Sequence, residues 1–497
     1  MWWRTVKARS LPTATRNPAH LAALGTFVLL DAAVVLLLAK SPVLAVAAAF
    51  VPSVLLLIAW AATGDRSVLV LGSFVAAIGP TAFSNSLSAG GALIYPQDIL
   101  VGVALVGWFV EAAIRRDARS PQRKLVLGIS ALVFSAAVLE ALLRGHVAYG
   151  GSLLGQPLRF VLYAGIAAAL VQADPGTLFR RITIILYAGV VWQLIAAAYH
   201  IATGTSQSNS ANLSTGGFRV ISILTSLFIA SALFAAVVNL ELDQPMRKKA
   251  VHLSIALLAL VEIVLAFSRG TFIATALGLA ALFAVLRGAR SSFVTILPLA
   301  LPLVLASAFF LPHLQTRTNE PSLIQTLIQR LDPRVNNDLS VRWRGQADNI
   351  LWGQVRSNPL FGVGFGKGGQ FTLAGVRYNI TQDAHNDYLF MLAAGGIVML
   401  AAFLALVANS SLKLLRIARD TALVPHRLFV SWALATLFML LFNGLVEPLI
   451  VLPSILLTIW IIVLLPLAFP AQQTARSASW LRATGYRRVV VPLGKAR

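Results

Sequence analysis

The sequence predicts an all-α polytopic membrane protein with about 12–14 transmembrane helices and one large external loop bearing an amphipathic helix. Three observations predict it. The 497 residues are 58% hydrophobic and 12% charged, with a mean hydropathy of +0.80, where soluble domains carry about 25% charged residues. Apolar runs of about 20 residues, enough to cross a bilayer, recur along the chain. Past the opening residues, the only long polar interval runs through Ser340–Ile397. Cysteine is absent, which excludes disulfides, thiolate catalysis and Cys-ligated metals.

Taken in order, the expected spans are 21–39, 43–62, 67–83, 97–114, 125–143, 157–172, 182–201, 218–239, 249–267, 270–287, 291–311, 386–408, 427–446 and 449–468. No cleavable leader is expected: Arg4, Lys7, Arg9 and Arg16 run into a long apolar span without a small-residue cleavage site. With the N-terminus in the cytoplasm, strict alternation puts most of the 40 Lys and Arg on the inner side, as the positive-inside rule requires. The net charge of +22 therefore reads as a topology signal facing anionic inner-leaflet lipid, not as a nucleic-acid footprint. The expected organisation is an N-terminal transmembrane bundle over 1–311, an external (periplasmic) loop over 312–385, C-terminal transmembrane helices over 386–470 and a basic cytoplasmic tail over 471–497. ATP is absent from the outer side, so chemistry there must use an already activated substrate.

The polar interval opens as an amphipathic helix. Ser340 is the expected N-cap, Trp343, Ala347, Ile350, Leu351 and Val355 share one face, and Pro359 stops the helix after Asn358. Gly364-Phe365-Gly366-Lys367-Gly368-Gly369 satisfies the dinucleotide pattern G-x-G-x-x-G. It lacks the preceding strand, following helix and βαβ setting that such a site needs. These glycines are expected to make a tight turn that folds the loop back over the membrane face.

Several polar residues fall at expected outer ends of spans. Arg269 closes one apolar run, and a charge there either snorkels or serves a purpose. Glu262 lies seven residues earlier and is its expected ion-pair partner on one helical face. Arg344 is either paired with Asp348 at i,i+4 or a bidentate phosphate holder, and Arg342 stands two residues away. His385 opens a span beside Asp383, Asn386 and Asp387. Imidazole titrates near neutral pH and accepts a proton there, and a nearby carboxylate can orient it. Asp383, His385 and Asp387 make a poor metal site because no second histidine is spaced with them. Arg159 and Arg219 also fall at outer ends. Asp98 and Glu447 either bind a sugar hydroxyl or sit in headgroup water.

The arginine-bearing helix, the run Asn358-Pro359-Leu360-Phe361-Gly362-Val363-Gly364-Phe365-Gly366, and Ala384-His385-Asn386-Asp387-Tyr388-Leu389 together resemble the signature region of the O-antigen ligase and O-antigen polymerase family. Phe267-Ser268-Arg269-Gly270 is similar to that family's Ser-Arg-Gly element. The resemblance implies a type C glycosyltransferase-like fold and transfer of a pre-assembled glycan from undecaprenyl pyrophosphate to a hydroxyl acceptor: lipid A core, another lipid-linked repeat unit, or a protein. It implies a multi-pass protein of the bacterial inner membrane with both termini cytoplasmic, and no cofactor, metal or nucleic acid. His385 would act as general base, Arg269 and Arg344 (or Arg342) would hold the pyrophosphate, and Arg159, Arg219, Asn386 and Asp387 would contact substrate. The chain departs from the pattern after Arg219, where Ile221-Ser222-Ile223-Leu224 replace the glycine and asparagine that often follow. The competing class is a lipid-linked oligosaccharide flippase. Such a transporter would show repeated halves with broken helices, and the sequence contains no internal repeat.

Overall fold

The computed structural model describes residues 87–89, 92–94, 98, 101, 122–145, 159–170, 173–203, 221, 223–242, 244–266, 268–286, 339–380, 385–421, 423–447, 449 and 452–469. They are mostly helical. After a short hairpin, β1 (Leu87–Ala89) and β2 (Ala92–Ile94), come α1 (Gln122–Leu143), a 3-10 turn at Tyr163–Gly165 leading into α2 (Ile166–Leu170), α3 (Pro175–Thr203), α4 (Ile223–Leu240), α5 (Met246–Leu265) and α6 (Arg269–Val285). The loop contributes α7 (Leu339–Ser357) and a second hairpin, β3 (Gly369–Leu373) and β4 (Val376–Ile380). α8 (Asp387–Asp420), α9 (Val424–Asn443) and α10 (Pro453–Leu464) follow. The two hairpins depart from the all-helical expectation.

Three described helices are long and apolar enough to cross a membrane: Pro175–Tyr199, Asp387–Asp420 and Val424–Asn443. The expected spans 21–39, 43–62, 67–83 and 291–311 lie outside the described residues, as does nearly all of 97–114 and both termini.

α4 is the centre of the bundle. It is apolar all round, as a helix with neighbours on every side must be, and its residues from Leu227 to Val238 are almost wholly buried. Small and hydroxyl side chains let its neighbours approach. Phe234 packs where Gly278 of α6 has no side chain. On α9, Thr436 bonds Ser231 at 3.1 Å, and the Trp432 indole donates to the Ser231 carbonyl at 3.0 Å. Asn409 of α8 ties to Ser130 of α1 at 2.7 Å.

α7 starts by Leu339, so Ser340 lies within the helix and not at its cap. Ala347, Leu351 and Val355 form its buried stripe, while Trp343 and Ile350 remain half-exposed. The polypeptide then enters α8 in an unforeseen way. α8 is 34 residues long and is broken at Gly396 (φ 66°, ψ −166°). In a continuous helix the Ala393 and Ala394 carbonyls would accept from Ile397 and Val398. Instead they accept from the N–H groups of Val363 and Gly364, at 2.8 and 2.9 Å. Ile397 and Val398 donate to the carbonyls of Pro359 and Leu360, at 2.9 and 3.2 Å. The glycine turn thus replaces the missing helical bonds one for one, and the span expected over 386–408 is two helical pieces.

The turn is held from its other side by α1. Arg144 donates to the carbonyls of Gly362, at 3.1 Å, and Phe361, while pairing with Glu140. The Phe365 N–H donates to the Ala141 carbonyl at 3.1 Å.

Gly396→Ala should be severe. Its backbone sits where essentially only glycine goes, at a cost of order 1–3 kcal/mol for other residues. An added Cβ would also lie 2.3 Å from the Leu360 backbone. The expected result is a large drop in the melting temperature of the purified chain; an unchanged value would mean the break does not depend on this glycine.

Candidate active site

The three residues that open α8 each have a different structural position. Asn386 is the N-cap, its Oδ1 accepting from the N–H groups of Tyr388 and Leu389 at 3.1 Å. Asp387 is buried. Its N–H donates to the Gly444 carbonyl at 2.8 Å, and its Oδ2 accepts from the Leu449 N–H at 3.1 Å. Gly444 makes the approach possible, since a Cβ there would lie 2.8 Å from that carboxylate oxygen. Asp387 therefore fixes the turn after α9 against the start of α8, and this turn carries Glu447.

Glu447 faces His385, the residue before the cap. Its Oε2 lies 3.2 Å from His385 Nδ1, and its Oε1 accepts from Arg344 Nη2 at 3.2 Å. One carboxylate thus bridges a histidine on the approach to α8 and an arginine on α7. An ionised carboxylate only accepts hydrogen bonds, so in a neutral imidazole facing Glu447 the proton would sit on Nδ1 and the lone pair on Nε2. The Glu447 side chain is 13% exposed, against 30% for His385 and 35% for Arg344. The site is open to a reactant on the imidazole and guanidinium side, while its anchoring carboxylate is withdrawn.

Arg344 Nε is buried and has no hydrogen-bond partner among the described residues. Asp348, one turn along α7, is close enough to interact electrostatically. Burial pushes its carboxyl above the ordinary range, while His385, when protonated, and the Arg344 guanidinium act to pull it back down. The hydrogen bond of Arg344 goes to Glu447, not to this i+4 neighbour. The Trp343 ring stands edge-on to His385, 5.1 Å between centroids.

The Ser-Arg-Gly element reaches the same end of the bundle. Ser268 caps α6, accepting from the Thr271 N–H at 3.3 Å, and Arg269 is the first helical residue. A Cβ on Gly270 would lie 2.9 Å from Asn443 Oδ1 and 3.0 Å from a Val446 methyl. The backbone beside Arg269 therefore packs on the turn that carries Glu447. Asn443 is fully buried, and its side-chain amide has no partner among the described residues. The helix expected to run through Glu262 and Arg269 is interrupted: α5 ends at Leu265 and α6 begins at Arg269. Seven-residue spacing hence does not put them on one continuous face. Both Glu262 oxygens are buried without a hydrogen-bond partner among the described residues.

The other candidates lie apart or outside. Arg342 is exposed on α7. Arg159 is buried and donates from Nε to both oxygens of Asp98 at 3.0 Å, which leaves a compensated pair. Arg219 and Asp383 fall outside the described residues. Among the described residues no group of three or more His, Asp or Glu is gathered as a metal site requires.

Two residues take roles that the sequence did not give them: Glu447, expected there as a sugar-hydroxyl ligand or a headgroup-facing acid, is the bridge, and Arg144 is the clamp on the glycine turn. Glu447 carried a signal, an acid closing an apolar run, but no spacing ties it to a histidine 62 residues away.

Residues 254–404 match the family model of the O-antigen ligases. The match includes Arg269, Arg342, Arg344, His385, Asn386, Asp387 and the Gly396 break, and excludes Arg159, Arg219 and Glu447. No curated protein matches the chain.

Proposed function

We propose that this chain, whose residues 254–404 carry the O-antigen ligase family region, transfers a pre-assembled glycan from undecaprenyl pyrophosphate to a hydroxyl acceptor at the outer face of the bacterial inner membrane. The observation that carries the reading is the His385–Glu447–Arg344 cluster: a base with a free Nε2, an orienting carboxylate and a cation with unused donors, in one open site.

The acceptor hydroxyl gives its proton to His385 Nε2 as its oxygen attacks the anomeric carbon of the donor. The bond from that carbon to the pyrophosphate oxygen breaks, and the electron pair leaves with the pyrophosphate. A single displacement of this kind inverts the anomeric centre. Glu447 holds the imidazole in the required tautomer and stabilises the imidazolium that forms, the role a carboxylate plays in a catalytic triad. Arg344 and Arg269 receive the pyrophosphate charge. The guanidinium is suited to this because it is always charged and its planar fork matches phosphate oxygens. The orphaned Arg344 Nε and Asn443 amide support an anion here, since buried polar groups without partners call for an explanation. The break in α8 does not favour the flippase reading: backbone from the glycine turn fills it.

The test is incubation of the purified chain with lipid-linked glycan and a panel of acceptors, reading both glycosylated product and released undecaprenyl pyrophosphate. Transport of the lipid-linked glycan without either product would sink the reading. Glu447→Gln gives a finer check. The amide can donate to Nδ1 and so move the ring proton to Nε2. Transfer should fall about 10- to 100-fold, short of the about 10,000-fold seen for such a change in a fully buried triad. Unchanged turnover would remove Glu447 from the mechanism.

A further inference from the structure

A row of aromatic rings leads away from His385. The His385 and Trp343 centroids are 5.1 Å apart, edge to face. Trp343 stands 5.9 Å from Phe371 on β3, again edge to face. Phe371 stacks on Tyr378 of β4, its cross-strand partner, at 5.4 Å and 22°. Trp343, Phe371 and Tyr378 are all half-exposed. The hairpin does not need them open to be stable, since Leu373 and Ile380 on the same face are already buried. The alternate positions, Gln370, Thr372, Arg377 and Asn379, are exposed and polar.

We propose that Trp343, Phe371 and Tyr378 form a subsite for the acceptor glycan, with pyranose rings laid along the row and the reacting hydroxyl delivered to His385. This rests on the transfer reading above. Pyranose rings present C–H bonds on one face and hydroxyls around the rim. They therefore fit a site of half-exposed aromatic rings that ends on polar groups, here His385 and its partners Glu447 and Arg344. The row begins at the group that takes the acceptor's proton, which assigns it to the acceptor and not to the pyrophosphate end of the donor. Tyrosine and tryptophan also gather at membrane interfaces; the exposed polar residues Gln370, Thr372, Arg377 and Asn379 put the hairpin's other face in water.

The test uses the full chain in nanodiscs with short soluble fragments of the producing cell's own surface polysaccharide. Saturation-transfer NMR should show contact to sugar C–H protons in wild type, Tyr378→Phe and His385→Ala, and a clear loss in Tyr378→Leu at an unchanged melting temperature. In the transfer assay, Tyr378→Leu should raise the acceptor KM about 3- to 10-fold with kcat and donor KM little changed, and Tyr378→Phe should restore it. Should Tyr378→Leu fail to fold, Phe371→Leu reads the same quantities. Transfer that proceeds with an unaltered acceptor KM in Tyr378→Leu overturns the subsite and leaves the reaction standing. Fragment binding in a chain that transfers to no acceptor overturns the reaction and leaves the row as a glycan site. Because the chain has no cysteine, Tyr378→Cys takes a fluorophore at one position only. Quenching of that label by brominated lipid would place the row against the bilayer and end the proposal.

Discussion

Substitution of His385 by alanine should lower glycan transfer about 100- to 10,000-fold, the range that a positioned general base contributes. Donor binding and melting temperature should stay close to wild type, because the imidazole is only partly buried and the contact it loses is shared with Arg344. The geometry makes the alternative outcome just as clear. If His385 served only to neutralise Glu447, its loss would leave that carboxylate with Arg344 alone. Stability would then fall while turnover per folded molecule held. The measurement is turnover per mole of folded chain, beside the melting temperature, for both proteins. A mutant that works at the wild-type rate would reduce the cluster to a binding site.

Arg344→Lys should cost about 100- to 1000-fold in turnover, the loss associated with one preorganised donor to a developing charge. Lysine keeps the positive charge and can still reach toward Glu447, so a purely structural ion pair would be spared. It loses the planar fork and the Nε–H, which is buried and unpartnered among the described residues. The split between kcat and donor KM separates the roles: a clamp that tightens on the leaving pyrophosphate acts mainly on kcat. Near-normal turnover in Arg344→Lys would shift the phosphate to Arg269, or to Arg342, which lies exposed two residues away on α7.

Much of the helical layout was legible because a membrane span is written in consecutive residues: an apolar run of sufficient length with basic residues at one end. The α7 helix was legible in the same local way through Ala347, Leu351 and Val355. The β3–β4 hairpin escaped notice because its turn is Ala374-Gly375, with positive φ at both positions, in place of the more telling Asn-Gly. The break at Gly396 escaped because a glycine pair inside an apolar run reads as a tolerated weakness and not as a gap for a second segment. The cluster itself joins residues from α7, the approach to α8 and the turn after α9. Spacing can nominate each of them, but only the Asp387 bonds to Gly444 and Leu449, which the sequence does not announce, set Glu447 against His385.

The backbone exchange at Gly396 bears on what can be swapped between relatives. A loop graft cut at the apparent membrane boundary, replacing 312–385 alone, would import a glycine turn made for another host's broken helix. Any mismatch would strand the Ala393 and Ala394 carbonyls and the Ile397 and Val398 amides in an apolar surround, at several kcal/mol for each group left unsatisfied. The heritable unit is therefore larger than the loop. It extends at least through the first piece of α8, and Arg144, just past the end of α1, must travel with it or be rematched. Recombination that respects this seam should yield folded chimaeras, and recombination across it should not.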